Sequence, residues 1–203
     1  MAIFPTSYFP NIQYFKNLSN FDEFFIEIFE HFPKQTYRNR CEILGANGIL
    51  TLIVPVEKGR TGKTFTRDIK ITYSENWQRQ HYQSIRSAYA SAPFYDYYMP
   101  EFERVFSRKF QYLIELNQEI LQITNKILSF DKKISYTIDF DKNTDNQTFD
   151  FRVNFKPAKN ELKIFSESSY IQVFSDRFEF KPNLSILDLI FNLGPESRTF
   201  VLK

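Results

Sequence analysis

Two guanidinium groups flank one amide in Arg38-Asn39-Arg40. Such forks grip a carboxylate or phosphate through paired hydrogen bonds, and a nucleotide-sugar or an activated amino acid carries those groups. In an extended segment Arg38 and Arg40 project to one side and Asn39 to the other; the competing reading is a solvated edge strand. His81 falls one helical turn after Trp77 and one before Ile85. A histidine titrates near neutral pH, which suits a general base, and its structural alternative is a hydrogen-bonded core residue. His31 has only its place after an apolar stretch in its favour. As nucleophiles the chain offers Cys41, which with His81 would form a nucleophile–base pair, and Ser7 in an early loop. Cys41 lies in an apolar run, where cysteine usually packs as a small hydrophobe. Asp188 ends Ser185-Ile186-Leu187-Asp188, which reads as a helix capping box or as a buried acid of raised pKa.

Two further motifs fail on spacing. Gly59-Arg60-Thr61-Gly62-Lys63-Thr64 has two residues between its glycines, whereas a phosphate-wrapping P-loop needs four; a surface loop or lid is expected. Asp139 to Asp145 alternates oxygen side chains like a calcium loop but lacks the sixth-position glycine, and Asp150 stands where glutamate is usual. An acidic turn is expected there, and no metal site.

The elements that must position these groups follow from apolar periodicity. Ala2 to Phe4 reads as a strand, residues 11–18 as a short helix, and Phe24 to Phe29 as a second strand, a βαβ-like opening. Cys41 to Leu44 and Ile49 to Val56 form a hairpin about Asn47-Gly48. Asp68 to Thr72 reads as another strand. A helix starting near the N-cap Ser74 places Trp77, His81, Ile85, Ala88 and Tyr89 on one face. Pro93 and Pro100 punctuate a Tyr-rich stretch. A longer helix covers Phe110 to Leu128, with Leu113, Leu116, Ile120, Ile123 and Ile127 as its seam. Alternation from Ile134 to Phe140 and from Phe149 to Phe155 predicts a second hairpin, and Ser185 to Leu193 a buried helix stopped by Gly194-Pro195. The expected architecture is one α/β domain over residues 1–203. Residues 2–4, 24–29, 40–44, 49–56 and 67–72 are expected in one mixed sheet under packed helices, followed by a C-terminal β-hairpin and buried helix.

Composition limits the partners. The chain has 203 residues, enough for one sizeable core. Its 24 Phe and 12 Tyr predict a core built largely from aromatic rings. A formal charge of +2, with no basic stripe beyond Lys34 to Arg40, argues against nucleic acid. The single cysteine cannot form an internal disulfide, the N-terminus lacks signal-peptide character, and no run of about 18 apolar residues occurs. A cytoplasmic location is expected, with a small-molecule substrate. Neither a cofactor nor an oligomeric state is indicated.

Four stretches, in order, resemble the WbqC-like protein family. They are Tyr8-Phe9-Pro10 with Tyr14-Phe15; Lys34-Gln35-Thr36-Tyr37-Arg38-Asn39-Arg40 with Asn47-Gly48 and Val54-Pro55-Val56; Trp77-Gln78-Arg79-Gln80-His81 through Ala92-Pro93-Phe94; and Pro182-Asn183-Leu184-Ser185 through Gly194-Pro195-Glu196. The resemblance implies a cytosolic step in decorating O-antigen-type surface polysaccharide precursors, with transfer of an amino acid, glycine in particular, to a sugar. Its stretches contain Tyr8, Gln35, Arg38, Asn39, Arg40, Trp77 and Asn183, the substrate-binding candidates; the catalytic candidates are His81, Ser7, Cys41 and Asp188. One departure is plain: Pro5-Thr6-Ser7 stands where many members carry His-Gln-Pro. Three functions follow: an acyl or aminoacyl transferase acting on a sugar, a nucleotide-binding transferase of the adenylate-forming type, and a non-catalytic binding module walled by Tyr95, Tyr97 and Tyr98. A single pocket lined by Tyr8, Arg38, Asn39, His81 and Asn183 is expected, and Arg38→Ala is expected to fold normally while losing an anionic ligand.

Overall fold

A computed structural model describes residues 1–57, 64–141, 148–155 and 169–202. The chain opens with β1 (Ala2–Pro5), α1 (Ile12–Ser19) and β2 (Glu23–Glu27). Asn11 starts α1 by accepting the Tyr14 N–H at 3.0 Å, which satisfies one of the free donors of the first turn. The helix buries Ile12, Tyr14, Phe15 and Leu18, so β2 returns parallel to β1 with Phe4 beside Ile26. This is the βαβ opening that the apolar spacing predicts.

β3 (Arg40–Gly45) and β4 (Gly48–Ile53) pair antiparallel about Ala46-Asn47, and Gly48 takes a φ of +106° that the turn requires. Then come α2 (Trp77–Tyr89), α3 (Tyr95–Ser107), α4 (Leu113–Ile127), β5 (Lys133–Tyr136), β6 (Phe149–Asp150), α5 (Ile186–Leu193) and α6 (Glu196–Leu202). The main sheet has the order β5-β2-β1-β6 with every neighbouring pair parallel. The α/β class stands.

The strand partners differ from expectation in three places. The β3–β4 hairpin forms its own two-stranded sheet, packed on α2 and α5, and does not join the main one. Residues 67–72 are not a strand: a 3-10 turn at Thr66–Asp68 is followed only by isolated bridges of Lys70 to Tyr112 and Ile71 to Val56. The expected second hairpin is absent, because β5 and β6 occupy opposite edges of the sheet. Alternation reports that a strand is half-buried; it carries no information about its neighbour, and the open edges of β2 and β1 took one strand each.

Two helices went unread. Pro100 lies inside α3, yet Tyr95, Tyr98, Met99, Phe102 and Val105 form a buried stripe at helical spacing. Tyr95 and Tyr98 are therefore core residues while Tyr97 is 74% exposed, so the three do not form a common aromatic wall. α6 is the other. At α2 the residue before the helix is Asn76 and not Ser74, whose hydroxyl instead accepts from Thr72. Ser185 does cap α5, accepting the Leu187 N–H at 3.3 Å, and Gly194 ends that helix at a φ of +55°. Aromatic rings fill the core: Phe4 stacks on Phe151 at 4.6 Å and meets Tyr14 and Phe24 at 5.2 and 5.6 Å, spacings at which such pairs add to the stability of simple burial.

Candidate functional site

In an open parallel sheet, ligands bind beyond the carboxyl ends of the strands, where neighbouring connections diverge. Here β1 is that strand, since its successor β2 lies on one side and β6 on the other. The chain leaves β1 through Thr6, Ser7 and Tyr8, β2 through Glu27 to Glu30, and β6 through Phe151 and Arg152.

Behind these ends lies a buried ionic network. Arg38, 2% exposed, donates Nε to Glu30 Oε1 at 2.5 Å and Nη2 to Glu30 Oε2 at 2.7 Å, with a further bond to the Arg152 carbonyl at 3.0 Å. Arg152 forks onto Asp150 at 2.9 and 2.6 Å and reaches Glu27 at 3.1 Å. Glu27 Oε1 also accepts the Phe29 N–H and the Thr137 hydroxyl. Burial raises the Glu30 pKa, and the Arg38 hydrogen bond opposes that rise. The Arg38 fork is thus already filled from within.

Above the network, Thr6, Ser7, Tyr14, Asn117, Gln118 and Tyr136 share a small cleft closed by Pro10, Ile26, Ile114 and Leu121. Ser7 donates to the Tyr37 carbonyl at 3.0 Å. Asn117, 2% exposed on α4, donates to Thr6 Oγ1 at 3.0 Å and to the Arg38 carbonyl at 2.8 Å. Its Oδ1 is buried without a partner.

A second cluster lies under the hairpin. Tyr8 Oη and His81 Nδ1 are 2.9 Å apart, and His81 meets Trp77 edge to face at 5.2 Å. Burial pushes the His81 pKa down to about 4, with a hydrogen bond to the Ile53 carbonyl opposing. With the imidazole neutral and donating to that carbonyl, Nδ1 accepts and the Tyr8 phenol donates. Cys41 is buried close to Tyr8, and burial pushes its thiol well up. A protonated thiol is a poor nucleophile.

The other candidates are dispersed. Asn39 donates to the Val54 carbonyl at 2.9 Å and so extends the hairpin. Arg40 is half-buried, its Nε without a partner. Gln35 is exposed in a turn at a φ of +59°. Asn183 accepts the Gln13 N–H at 3.0 Å and so ties a distant loop to α1. Asp188 is fully buried but does not return to the cap; Tyr170 and Gln172 donate to its Oδ2 at 2.5 and 2.9 Å. Burial raises its pKa against those bonds and a nearby Tyr89 phenol. The structure therefore brings together Tyr8, Trp77, His81 and Cys41, with Ser7 adjoining through Tyr37. Arg38 faces Glu30 instead, and Asn183 and Asp188 lie with other partners. His31 stacks on Phe65 at 5.2 Å. The Gly59–Gly62 loop and most of the acidic turn fall outside the described residues.

Glu27, Glu30, Asn117 and Arg152 escaped sequence reasoning, and Asp150, weighed there only as part of a calcium-like loop, instead pairs with Arg152. Glu27 had a signal, a carboxylate inside Phe24-Phe25-Ile26-Glu27-Ile28-Phe29. Asn117 had another, since it sits four residues after Leu113 and three before Ile120 on the apolar seam of α4. Among the described residues, no group of three or more His, Cys, Asp or Glu is placed to hold a metal ion, and no helix is long and apolar enough to cross a membrane.

Fold and site together define an α/β protein with a parallel sheet and a polar cleft at its carboxyl edge. The chain belongs to the WbqC-like protein family, which it matches over residues 6–156. It is 24% identical over 234 residues to an uncharacterized protein of Mycobacterium tuberculosis, covering 99% of this chain and 96% of that one. It is also 26% identical over 181 residues to the valine–tRNA ligase of Onion yellows phytoplasma, covering 87% of this chain and 18% of the ligase. No solved structure gives a significant match.

Proposed function

We propose that this protein is a transferase that moves an acyl or aminoacyl group onto a sugar intermediate during surface-polysaccharide assembly, with its substrates meeting at the carboxyl ends of β1 and β2. Membership in the WbqC-like family supports a transferase-like biosynthetic role. The observation that carries the reading is the Thr6–Ser7–Asn117 cleft, a small polar indentation of about 10 Å³ at the place where parallel sheets receive ligands. Ser7 gives its proton to a carbonyl and Cys41 is held protonated. Both ring nitrogens of His81 are engaged, by the Tyr8 phenol and the Ile53 carbonyl, and not by Ser7 or Cys41, which favours direct transfer over a covalent enzyme intermediate. His81 then holds Tyr8 in the core beside the chain that leaves β1, and takes no proton from substrate.

The second reading is a nucleotide-binding transferase of the adenylate-forming type. The strand order, with β2 and β6 flanking β1, and the similarity to valine–tRNA ligase favour it. The start of α1 speaks against it, because phosphate binding there needs free N–H groups. Ile12 donates to Leu184, Gln13 to Asn183 and Tyr14 to Asn11. Calorimetric titration with nucleotide-sugars, free amino acids and ATP separates the two. The transferase reading expects sugar or amino-acid binding that Asn117→Leu weakens. Binding of ATP alone would move the assignment to the second reading, and binding of none of them would defeat both.

A further inference from the structure

We propose that this chain pairs with a second copy of itself through the free edge of β4, extending the hairpin into a continuous sheet β3-β4-β4-β3 about a twofold axis at Thr51. β4 has β3 on one side only. The Val54 N–H donates to the Asn39 carbonyl at 2.8 Å, so by antiparallel alternation Leu52 and Leu50 bond inward to β3 while Ile53, Thr51 and Ile49 turn their N–H and C=O groups outward. The same phase appears on the far side of β3, where the Glu42 carbonyl, opposite Thr51, accepts from Ser185. Past Ile53 the chain closes the β4 edge itself: Thr72 donates to the Pro55 carbonyl and Glu57 to the Lys70 carbonyl. Between Ile49 and Ile53 His81 takes the Ile53 carbonyl, and no strand lies against the edge among the described residues.

Edges of this kind are normally guarded. Lysine, proline or a bulge keeps an open strand from pairing with another chain. Gly48-Ile49-Leu50-Thr51-Leu52-Ile53 carries no charge and no proline, and its register with β3 runs unbroken. Ile49, Leu50 and Ile53 are 55%, 41% and 45% exposed, and of the apolar side chains of β4 only Leu52 is packed into the core.

The order of these residues names the occupant. Ile49-Leu50-Thr51-Leu52-Ile53 reads the same in both directions. Two such strands, antiparallel and centred on Thr51, set Ile49 opposite Ile53, Leu50 opposite Leu52 and Thr51 opposite Thr51, so each cross-strand pair joins like chemistry. A centre on Leu50 or Leu52 would put the Thr51 hydroxyl against an isoleucine. At the axis the Thr51 residues exchange both backbone bonds, and on either side the Ile53 N–H meets the Ile49 carbonyl. Arg40 and Glu42 stand one strand back, beside Ile53 and Thr51, so no like charges meet at the joint. An unrelated partner strand would require no such symmetry. The edge is short of a standard interface, and the dimer is accordingly a weak one that forms at high chain concentration.

The test is sedimentation equilibrium of the full chain from about 10 µM to about 1 mM, with backbone amide exchange measured at both ends of that range. The expected result is a weight-average mass that climbs towards twice that of one chain, with slowed exchange at Ile49, Thr51 and Ile53. Leu50 and Leu52, already bonded to β3, should keep their rates. Thr51→Lys sets two ammonium groups against each other at the axis and should weaken association at least tenfold. Ile171→Lys, at an apolar position that is 83% exposed elsewhere on the surface, should leave association unchanged. A chain that stays single across the range overturns the proposal. So does association without slowed exchange at the three edge amides, a reading that needs no variant to fold. Association that Thr51→Lys does not weaken, or that both variants weaken equally, overturns it as well.

Discussion

Replacing Arg38 by methionine keeps a long apolar side chain but strands Glu30, a carboxylate whose side chain is 10% exposed, without its cation. Both guanidinium bonds to Glu30 and the one to the Arg152 carbonyl disappear together. Breaking one side of a buried ion pair costs about 3–5 kcal/mol, because the remaining charge stays desolvated. At about 2–4 °C per kcal/mol for a chain of this size, the melting temperature should fall by about 6–20 °C. Arg38→Met/Glu30→Leu should recover most of the loss, since no orphan charge remains. The pH dependence follows from the raised pKa of Glu30. A carboxyl that holds its proton more tightly when folded lowers stability as pH rises past its unfolded value of about 4.3. Removing Arg38 enlarges that effect, so the deficit should be largest at pH 7 and shrink toward pH 4. Urea denaturation of the single and double variants at both pH values is the assay. A single variant within about 1 kcal/mol of wild type at pH 7 would refute the reasoning and restore Arg38 as a free anion-binding group.

Three other substitutions or titrations test separate parts of the fold. The His81 ring signals should stay those of a neutral imidazole until the pH nears about 4; because that pKa is depressed, the stability it contributes is present above about 6.5 and is lost as pH falls through 4. An NMR midpoint near 6.5 would contradict this. Asp188→Asn should be at least as stable as wild type at pH 8, its amide keeping an acceptor for Tyr170 and Gln172 without a buried charge. The raised pKa of Asp188 means this advantage fades toward pH 4, and a loss above about 2 kcal/mol by denaturant melt would show that the ionised form is needed. Gly194→Ala should cost more than about 1 kcal/mol, since the residue sits at a φ of +55° and a Cβ would come within 2.5 Å of the Phe94 ring; an unchanged melting curve would argue against that close approach.

What the sequence disclosed depended on the range of the interaction. The α1 stripe, the Asn47-Gly48 turn, the α4 seam and the Ser185 cap are all local, and each appears where its spacing places it. Partner choice is not local. Arg38 looks like a ligand-binding fork until Glu30 folds back eight residues to fill it, and Arg152 reaches Glu27 across 125 positions. His81 and Tyr8, 73 positions apart, were both picked out by residue type, yet only the distance of 2.9 Å shows that they satisfy each other. Asn117 was hidden by the apolar seam around it. A polar residue in such a seam is a stronger mark of a site than a charged residue in a polar stretch, because burying it requires partners.

The position of β1 also governs how the chain can find its fold. Its contact with β2 closes across one short helix, whereas β6 returns to it only from residue 149. Closing the longer loop carries a larger entropy cost before any contact repays it, and topologies rich in such distant pairings fold slowly. Refolding should therefore begin with the β1–α1–β2 unit. The carboxyl edge of the sheet then completes last, when Arg152, held by Asp150, docks against Glu27.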